Sequence, residues 1–386
     1  MYLVSVYFDD KSNKIISDYI NKIAQKTGNI FMTDNHVPPH LTIMSVEARE
    51  EEKLTEVMEQ LERSLTKGHT LVDFAGEFVK RGGKVLLIDQ VFKYPEWSHD
   101  LRACYEKFPG LKIVFTGSSV MRLKEENPEL SGIVKVYYLR GFSFREFLNL
   151  QSGNNFRAYT LQEILENHEQ IAKTILRNVK PLDFFQDYLH HGFYPFFLEK
   201  RNFSENLLKT MNMMIEVDIL LIKQIELKYL SKIKKLLYLL AVDGPVAPNV
   251  SQLAAEIQTS RATVMNYIKY LADARLINMV YPKGEEFPKK PSKLMMHNTN
   301  LMYSIYPVKV DEQDVLDTFF MNTMYKDHKL YKGDKGTSFM VDGNLHFRIC
   351  AEGCKFKNNP NVYYAPHKLE LGHGNQIPLW LFGFLY

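Results

Sequence analysis

Residues 84–89 read KVLLID, and these residues decide the fold of the middle of the chain. Four consecutive apolar side chains that end on an acid are typical of a strand buried on both faces. A second such run, LKIVFT at residues 111–116, follows a helical pattern at residues 97–108, and a third strand is predicted at residues 134–139. Buried strands that alternate with helices predict a parallel α/β sheet with helices on both faces.

Composition places the chain among ordinary globular proteins. Of its 386 residues, 45% are hydrophobic and 24% are charged, which excludes a disordered or fibrous chain. No apolar run approaches the roughly 18–20 residues that span a bilayer, and 3 cysteines are too few for a disulfide framework. The net charge of +3 does not by itself require a nucleic-acid partner. We therefore expect a cytoplasmic protein of about two or three domains with no membrane partner.

The acid at the end of the first strand is the main chemical signal in the chain. An Asp that follows an apolar strand, as Asp89 does, resembles the Walker B motif, in which the carboxylate helps to hold Mg²⁺. Nucleotide hydrolases usually place Glu next, as the base for the attacking water. This chain has Gln90, whose amide orients water but is a poor base. The alternative interpretation is that Asp89 only ends a core strand.

Several stretches, in a fixed order along the chain, carry a family resemblance. They read LLIDQVFKYPEWSHDL (86–101), LKIVFTGSS (111–119), LRGFSFREFL (139–148), HHGFYPFFLE (190–199), HNTNLMYSI (297–305) and IPLWLFGFLY (377–386). Residues from about 69 to 386 thereby resemble a family of bacterial and archaeal AAA+-type ATPases with a C-terminal winged helix and a domain of unknown function.

The resemblance implies ATP and Mg²⁺ as cofactors, with Asp89 holding the metal and Ser118 or Ser119 at the sensor position that reads the γ-phosphate. The departures from the family predict that this site is degenerate. No G-x-x-x-x-G-K-[ST] motif occurs in the sequence, so the backbone cradle and the Lys that bind the phosphates are missing. Gln90 stands in place of the catalytic Glu, and residues 132–134 lack an Arg that the family often has there. We expect weak or no nucleotide binding and no hydrolysis.

The first 66 residues carry a different resemblance. The segment VPPHLTI at residues 37–43 and the strand-like start YLVSVYF resemble the first half of the two-histidine phosphoesterases, the 2′-5′ RNA ligase-like superfamily. His40 and Thr42 fit its H-x-[ST] motif, which implies that the histidine is an acid or base and that the hydroxyl binds phosphate. The other H-x-T, at residues 297–299, we interpret as coincidence. The alternative function is therefore a phosphoesterase for RNA or cyclic phosphodiesters that uses His40 and Thr42, completed by a second chain.

The junction between the two resemblances is predicted near residues 64–70. The N-terminal lobe would replace the first strands and the phosphate loop of the ATPase core. The strands at residues 85–88 and 111–116 would then flank the strand at 134–139 with an unpaired gap. Unpaired strand edges in an apolar layer are costly. We therefore expect either that residues 2–8 fill the gap or that the sheet is truncated and prone to aggregate.

Residues 251–271, SQLAAEIQTSRATVMNYIKYL, predict a helix-turn-helix. With a helix before it and a hairpin after it, this segment resembles a winged helix. Ser260, Arg261 and Thr263 open the second helix, whose N-terminal residues typically meet DNA. Nearby lysines that could contact phosphates are Lys232, Lys234, Lys235, Lys283, Lys289, Lys290 and Lys293. The alternative is a winged helix that docks on a protein, so the expected partner is DNA or a protein.

The last segment, residues 296–386, distantly resembles the restriction-endonuclease fold. Such a site needs two or three carboxylates around a metal and a Lys. Asp317 matches one of the family's acidic positions and Lys355 matches the Lys position. Ser338 and Arg348 stand where family members have carboxylates. We therefore expect no metal-dependent cleavage.

Together these patterns predict an α/β multidomain chain with a truncated parallel-sheet AAA+-type core, a helical and winged-helix region and a small α+β C-terminal domain. The predicted segments are a phosphoesterase-like half-lobe at 1–66, a core without a phosphate loop at 67–150, a helical region at 151–230, a winged helix at 231–295 and a degenerate nuclease-like domain at 296–386. The favoured function is a protein of the ATP-binding AAA+ type whose degenerate site leaves a protein- or nucleic-acid-binding module.

Overall fold

The computed structural model describes residues 2–7, 40–46, 70–118, 120, 127–199, 201–308, 310–334, 336–353 and 359–386. The chain divides into two compact units, Met1–Lys135 and Val136–Tyr386. Two predicted site residues, Ser119 and Lys355, lie outside the described residues.

The first unit begins with an antiparallel pair of strands, β1 (Tyr2–Tyr7) and β2 (His40–Val46). Tyr7 lies opposite His40. The strand at the start of the chain therefore finds its partner within the N-terminal segment. The expectation that residues 2–8 fill a gap in the central sheet is wrong, because the described pairing of β1 is with β2.

The rest of the first unit is a small α/β layer. Its elements are α1 (Leu71–Lys80), β3 (Val85–Ile88), α2 (Trp97–Lys107) and β4 (Lys112–Phe115). A capping box of Thr70 and Asp73 fixes the start of α1. As predicted, β3 and β4 pair in parallel, with Ile88 opposite Phe115. Both helices pack on one face of the sheet, around the buried residues Ala75, Leu86, Cys104 and Leu111.

The prediction of a third strand at residues 134–139 is wrong. This segment is irregular, and Leu139 is 99% exposed. An apolar run forms a strand only where a neighbouring edge accepts its backbone hydrogen bonds, and no described strand pairs with this one. The predicted cover on both faces is wrong as well, because Val85, Leu87 and Val114 leave one face of the β3–β4 sheet exposed.

The second unit opens with a helical region, as predicted. Its helices are α3 (Phe144–Ser152), α4 (Leu161–Leu176), α5 (Leu182–Asp187), α6 (Phe203–Met213) and the short α7 (Leu220–Ile222). Capping boxes at Ser143 and Thr160 begin α3 and α4. Two π-helical segments, Tyr188–Gly192 and Met214–Ile219, interrupt the regular helices.

Three helices and a hairpin follow in the predicted order. They are α8 (Leu230–Asp243), α9 (Val250–Glu256), α10 (Arg261–Asp273), β5 (Ile277–Val280) and β6 (Lys293–Met296). The two strands are antiparallel, with Ile277 opposite Met296. Buried apolar residues of all three helices, among them Leu236, Leu253 and Ile268, supply the hydrophobic faces that such short helices need in order to fold.

The C-terminal part is a mixed four-stranded sheet with two helices. Its elements are α11 (Thr299–Ile305), α12 (Glu312–Met324), β7 (Leu330–Lys332), β8 (Phe339–Val341), β9 (Leu345–Cys350) and β10 (Val362–Pro366). The strand order is β10-β9-β8-β7, with β10 parallel to β9 and the other pairs antiparallel. The 3₁₀ segment Leu379–Phe384 is buried throughout and belongs to the same hydrophobic core as α12. Among the described residues, none of the helices is both long enough and apolar enough to cross a bilayer.

Candidate functional site

The Walker B-like acid lies at the carboxyl edge of the two-stranded sheet. Asp89 directly follows β3 and is exposed, and Thr116 directly follows β4. Because parallel strands in register end side by side, the two side chains meet, and the hydroxyl of Thr116 donates a hydrogen bond to the Asp89 carboxylate. The carboxylate that the family resemblance assigns to Mg²⁺ is therefore bonded to its neighbour on the next strand.

Thr116 also fixes the turn after β3. Its Oγ1 accepts the backbone N–H of Gln90 at 2.8 Å, and its own N–H donates to the carbonyl of Ile88 at 2.9 Å. Gln90 has a φ of 48°, in the left-handed region that favours glycine, so these bonds hold the turn against a backbone preference. The sequence reasoning missed Thr116. The parallel register of the two strands was the signal that could have found it.

These residues do not fit a bound ATP–Mg²⁺ pair. A triphosphate needs the amide cradle and the Lys of a Walker A loop, which the sequence lacks. Mg²⁺ needs several oxygen ligands in octahedral geometry, whereas Asp89 offers one carboxylate that Thr116 already engages. Across the part of the chain that the structure describes, no group of 3 or more His, Cys, Asp or Glu side chains is placed to hold a metal ion.

The predicted sensor position lies just beyond β4. The Oγ of Ser118 accepts the backbone N–H of Val120 at 3.3 Å, which closes a local turn. This bond accounts for a serine at the end of the strand without any ligand.

The candidate phosphoesterase residues lie on β2, where His40 is the first residue and Thr42 follows two positions later. The other H-x-T of the sequence is buried. The ring of His297 lies with Nδ1 3.0 Å from Oδ1 of Asn278, and the hydroxyl of Thr299 donates to a backbone carbonyl. Because both side chains are buried and hydrogen-bonded within the protein, His297 and Thr299 do not supply the second catalytic motif that His40 would need.

Side chains of residues 297–300, which read HNTN, hydrogen-bond to the backbone of a π-helical segment. The hydroxyl of Thr299 donates to the carbonyl of Leu189 at 2.6 Å, and the amide of Asn300 donates to the same carbonyl at 2.9 Å. Oδ1 of Asn300 accepts the N–H of Phe193 at 2.9 Å. These bonds join the side chains of Thr299 and Asn300 to the backbone of the π-helical segment Tyr188–Gly192 and of Phe193, which follows it. The stretches at residues 190–199 and 297–305 both carry the family resemblance, but nothing in their sequences indicates that residues 299 and 300 bind the backbone around residue 190.

The surroundings of His297 keep its ring neutral. Burial, with the nearby charges of Arg275 and Arg140, lowers the pKa of His297 to about 3. The ring is therefore an uncharged hydrogen-bonding group at neutral pH.

The structure brings the predicted DNA-contacting residues together at the start of α10. The Oγ of Ser260 accepts the N–H of Thr263 at 3.1 Å as the helix N-cap, and the two hydroxyls are 2.9 Å apart. Arg261 is exposed beside them. Within the described residues, neither an ion pair nor a hydrogen bond engages its guanidinium group.

Most of the lysines predicted to contact phosphates are bonded within the protein. Lys232 and Lys235 donate to carbonyls at the end of α9, each at 2.6 Å, which stabilises the negative end of that helix. Further partners are Glu216 for Lys234, the Gly343 carbonyl for Lys283, Glu285 for Lys289 and Asp317 for Lys293. Lys290 is exposed, and no described group bonds to it. The expected basic face is thus smaller than the sequence suggested.

The acid retained from the nuclease-like pattern has a structural role. Asp317 is 4% exposed on α12, and Lys293 donates to its Oδ2 at 2.8 Å. Gln313 donates to the other oxygen at 2.9 Å. The Oγ of Ser338 accepts the N–H of Ile349 at 3.1 Å. A single carboxylate that pairs with Lys293 does not make a two-carboxylate metal site.

Comparisons with known proteins agree with part of this picture. A family model described as an AAA domain matches residues 20–148, so an AAA-type domain is present. The match begins upstream of residue 67, inside the segment assigned to the half-lobe. A second model, a domain of unknown function (DUF8612), matches residues 182–312. Neither description mentions a phosphoesterase or a winged helix.

One curated relative is an uncharacterised protein of Methanocaldococcus jannaschii. It is 27% identical over 206 residues, which cover 52% of this chain and 43% of the relative. The match thus spans less than half of the relative's length. No solved structure matches the chain.

Proposed function

We propose that this chain is an AAA+-like protein whose nucleotide site is degenerate, so that it binds a partner and does not hydrolyse ATP. The hydrogen bond from Thr116 to Asp89 carries the proposal, because it gives the metal-binding carboxylate a partner inside the protein. The missing Walker A motif removes the groups that would hold the phosphates. Gln90 removes the base that would activate water.

Steady-state ATP turnover with Mg²⁺ tests this proposal. We expect no turnover above background for the wild type, for Asp89→Ala or for Asp183→Ala, an exposed aspartate on α5 that serves as the control. Gln90→Glu restores the base without the phosphate cradle, and we expect no gain of activity from it. Turnover in the wild type that is lost in Asp89→Ala and kept in Asp183→Ala would contradict the proposal.

The partner-binding surface in this proposal is the start of α10. A winged helix at this place is supported by the order of the elements, three helices (α8, α9 and α10) followed by the β5–β6 hairpin. Arg261 is the first residue of α10, at the end of the helix that carries the positive partial charge of the dipole. The charge of Arg261 and the dipole both favour an anionic partner. The partner in this view is DNA, with the acidic surface of a protein as the alternative.

Gel-shift assays with duplex DNA separate these two partners. We expect Arg261→Glu to weaken the shift by about tenfold or more, because it replaces a phosphate contact with a repulsive charge. Lys209→Glu, an exposed change of the same charge on α6, should leave the shift unchanged. A wild-type chain that gives no shift would contradict DNA as the partner and favour a protein.

A further inference from the structure

Two arginines that are far apart in sequence meet beside one tyrosine in the second unit. Arg140 lies before α3, and Arg275 lies between α10 and β5. Their Cζ atoms are 5.7 Å and 5.9 Å from the centre of the Tyr325 ring. Arg275 is also 5.3 Å from the ring of Tyr138. The fold thus gathers two guanidinium groups and two aromatic rings at one place.

In the described ranges, neither an ion pair nor a hydrogen bond joins the guanidinium of Arg140 or Arg275 to a carboxylate. The carboxylate that acts on Arg140 is that of Asp327, which pairs with Lys326 at 3.4 Å. Burial and the charge of Arg275 lower the pKa of Arg140. Two partly buried cations that repel each other are costly, and a bound anion relieves that cost.

The backbone at Arg275 follows from its place just after α10. Its φ is 56°, its N–H donates to the carbonyl of Ala272, and the N–H of Leu276 donates to the carbonyl of Leu271, both at 3.0 Å. These are the bonds of a Schellman helix end, which holds the residue after the helix in the left-handed region. The end of α10 thus fixes where the side chain of Arg275 leaves the chain.

The two rings are accessible from solvent. Tyr138 is 60% exposed and Tyr325 is 42% exposed. Next to them, an open concavity of about 420 Å³ is lined by Tyr325, Lys326, Asp327, His328, Lys329, Tyr331 and Asp342. A ligand that reaches the arginines can thus stack on an exposed ring and extend over a surface that carries both lysines and aspartates.

We propose that the cluster of Arg140, Arg275, Tyr138 and Tyr325 binds a single strand of nucleic acid. The guanidinium groups would hold phosphodiester oxygens, and the tyrosine rings would stack on bases. Exposed aromatic rings beside arginines favour an unpaired strand over a duplex, whose bases are already stacked on one another. This surface differs from the start of α10, so the inference does not rest on the winged-helix proposal.

Fluorescence anisotropy with labelled oligo-dT of about 16 nucleotides tests the inference, since that length spans a typical single-strand site. We expect the full chain to bind, and Arg140→Gln with Arg275→Gln to weaken binding by about tenfold or more. The logarithmic salt slope should fall by about 1.4, because two phosphate contacts are lost. The control Arg177→Gln removes an exposed arginine at the end of α4 and should bind like the wild type.

A second variant guards against a folding defect in the arginine variants. Tyr138→Ala alters an exposed side chain, so it should keep the wild-type melting temperature and weaken oligo-dT binding several-fold through lost stacking. Absence of wild-type binding, or wild-type affinity in the double arginine variant and in Tyr138→Ala, would overturn the inference. Displacement of oligo-dT by thymidine monophosphate or inorganic phosphate at equal concentration would also overturn it, because the site would then recognise a lone phosphate.

Discussion

The two units of the chain differ in how completely their sheets are enclosed. In the first unit, α1 and α2 cover one face of the β3–β4 sheet, and Leu87 on the other face is 55% exposed. In the second unit, every residue of α12 from Val315 to Met324 is buried, and so is the segment Leu379–Phe384. The acid-ended strand that suggests nucleotide chemistry thus lies in the less enclosed sheet, and the large core lies elsewhere.

This contrast has an energetic consequence. Each Å² of buried apolar surface stabilises a fold by about 25 cal/mol, so a sheet that is open on one face gains less than an enclosed one. We expect the β3–β4 region to open at a lower free energy than the α12 core. Amide hydrogen exchange reads the two regions separately, which matters because multidomain chains do not unfold in one step.

The largest effect is expected in the aromatic core of the second unit. Phe320 is fully buried, with the rings of Phe347 and Phe382 at 5.0 Å and 5.1 Å. Phe320→Ala should lower the opening free energy of the α12 amides by about 3–5 kcal/mol. The exposed control Val308→Ala should change it by less than about 0.5 kcal/mol. A loss below about 1 kcal/mol for Phe320→Ala would show that this core is not close-packed.

The next effect compares two adjacent leucines of β3. Leu86 is 3% exposed and Leu87 is 55% exposed, because successive side chains of a strand point to opposite faces. Leu86→Ala should lower the opening free energy of β3 by about 2 kcal/mol, the low end for a buried leucine, because the surrounding core is small. Leu87→Ala should leave it nearly unchanged. Equal losses in the two variants would mean that the second face is covered in solution.

The smallest effect is a pH dependence in the second unit. His297 has a pKa of about 3 when folded and about 6.5 when unfolded, so acid favours the unfolded chain. From pH 6.5 to pH 5 this group should cost about 1.5 kcal/mol of stability, and the loss ends as pH falls through about 3. Burial and the charge of Asp311 raise the pKa of Asp314 to about 6. The stability contribution of this carboxyl group therefore rises as the pH falls, opposite to that of His297.

Comparison with His297→Gln isolates the histidine, because Asp314 is present in both chains. The variant should show a flatter decline of the opening free energy of the second unit's amides between pH 6.5 and pH 5, as measured by hydrogen exchange. Parallel declines in the two chains would contradict the assigned pKa of His297.

Much of the local structure was predictable from the sequence, because it depends on local patterns. The runs at 84–89 and 111–116 predicted β3 and β4 within one residue at each end. The helix α10 (Arg261–Asp273) agrees with the helix-turn-helix pattern at residues 251–271, in which Ser260 and Arg261 open the second helix. Capping and periodicity act over a few residues, so one sequence contains all the information they need.

The errors share a physical cause, which is dependence on distant partners. Residues 134–139 do not form the expected strand, because a strand needs an adjacent strand to accept its backbone hydrogen bonds. The sequence of the segment itself does not say whether that partner is there. The bond between Thr116 and Asp89 and the meeting of Arg140 with Arg275 depend on packing between segments that are far apart in sequence. Lysines that looked available for phosphates, such as Lys232, bond to carbonyls of a neighbouring helix.

Equilibrium dialysis of radiolabelled ATP with Mg²⁺ tests most directly whether the Asp89 edge holds a nucleotide. Because Thr116 engages the carboxylate and no Walker A loop holds the phosphates, we predict no saturable binding at micromolar ATP for the wild type, for Asp89→Ala or for Thr116→Val. Saturable micromolar binding by the wild type that disappears in Asp89→Ala and persists in Asp183→Ala would contradict the account.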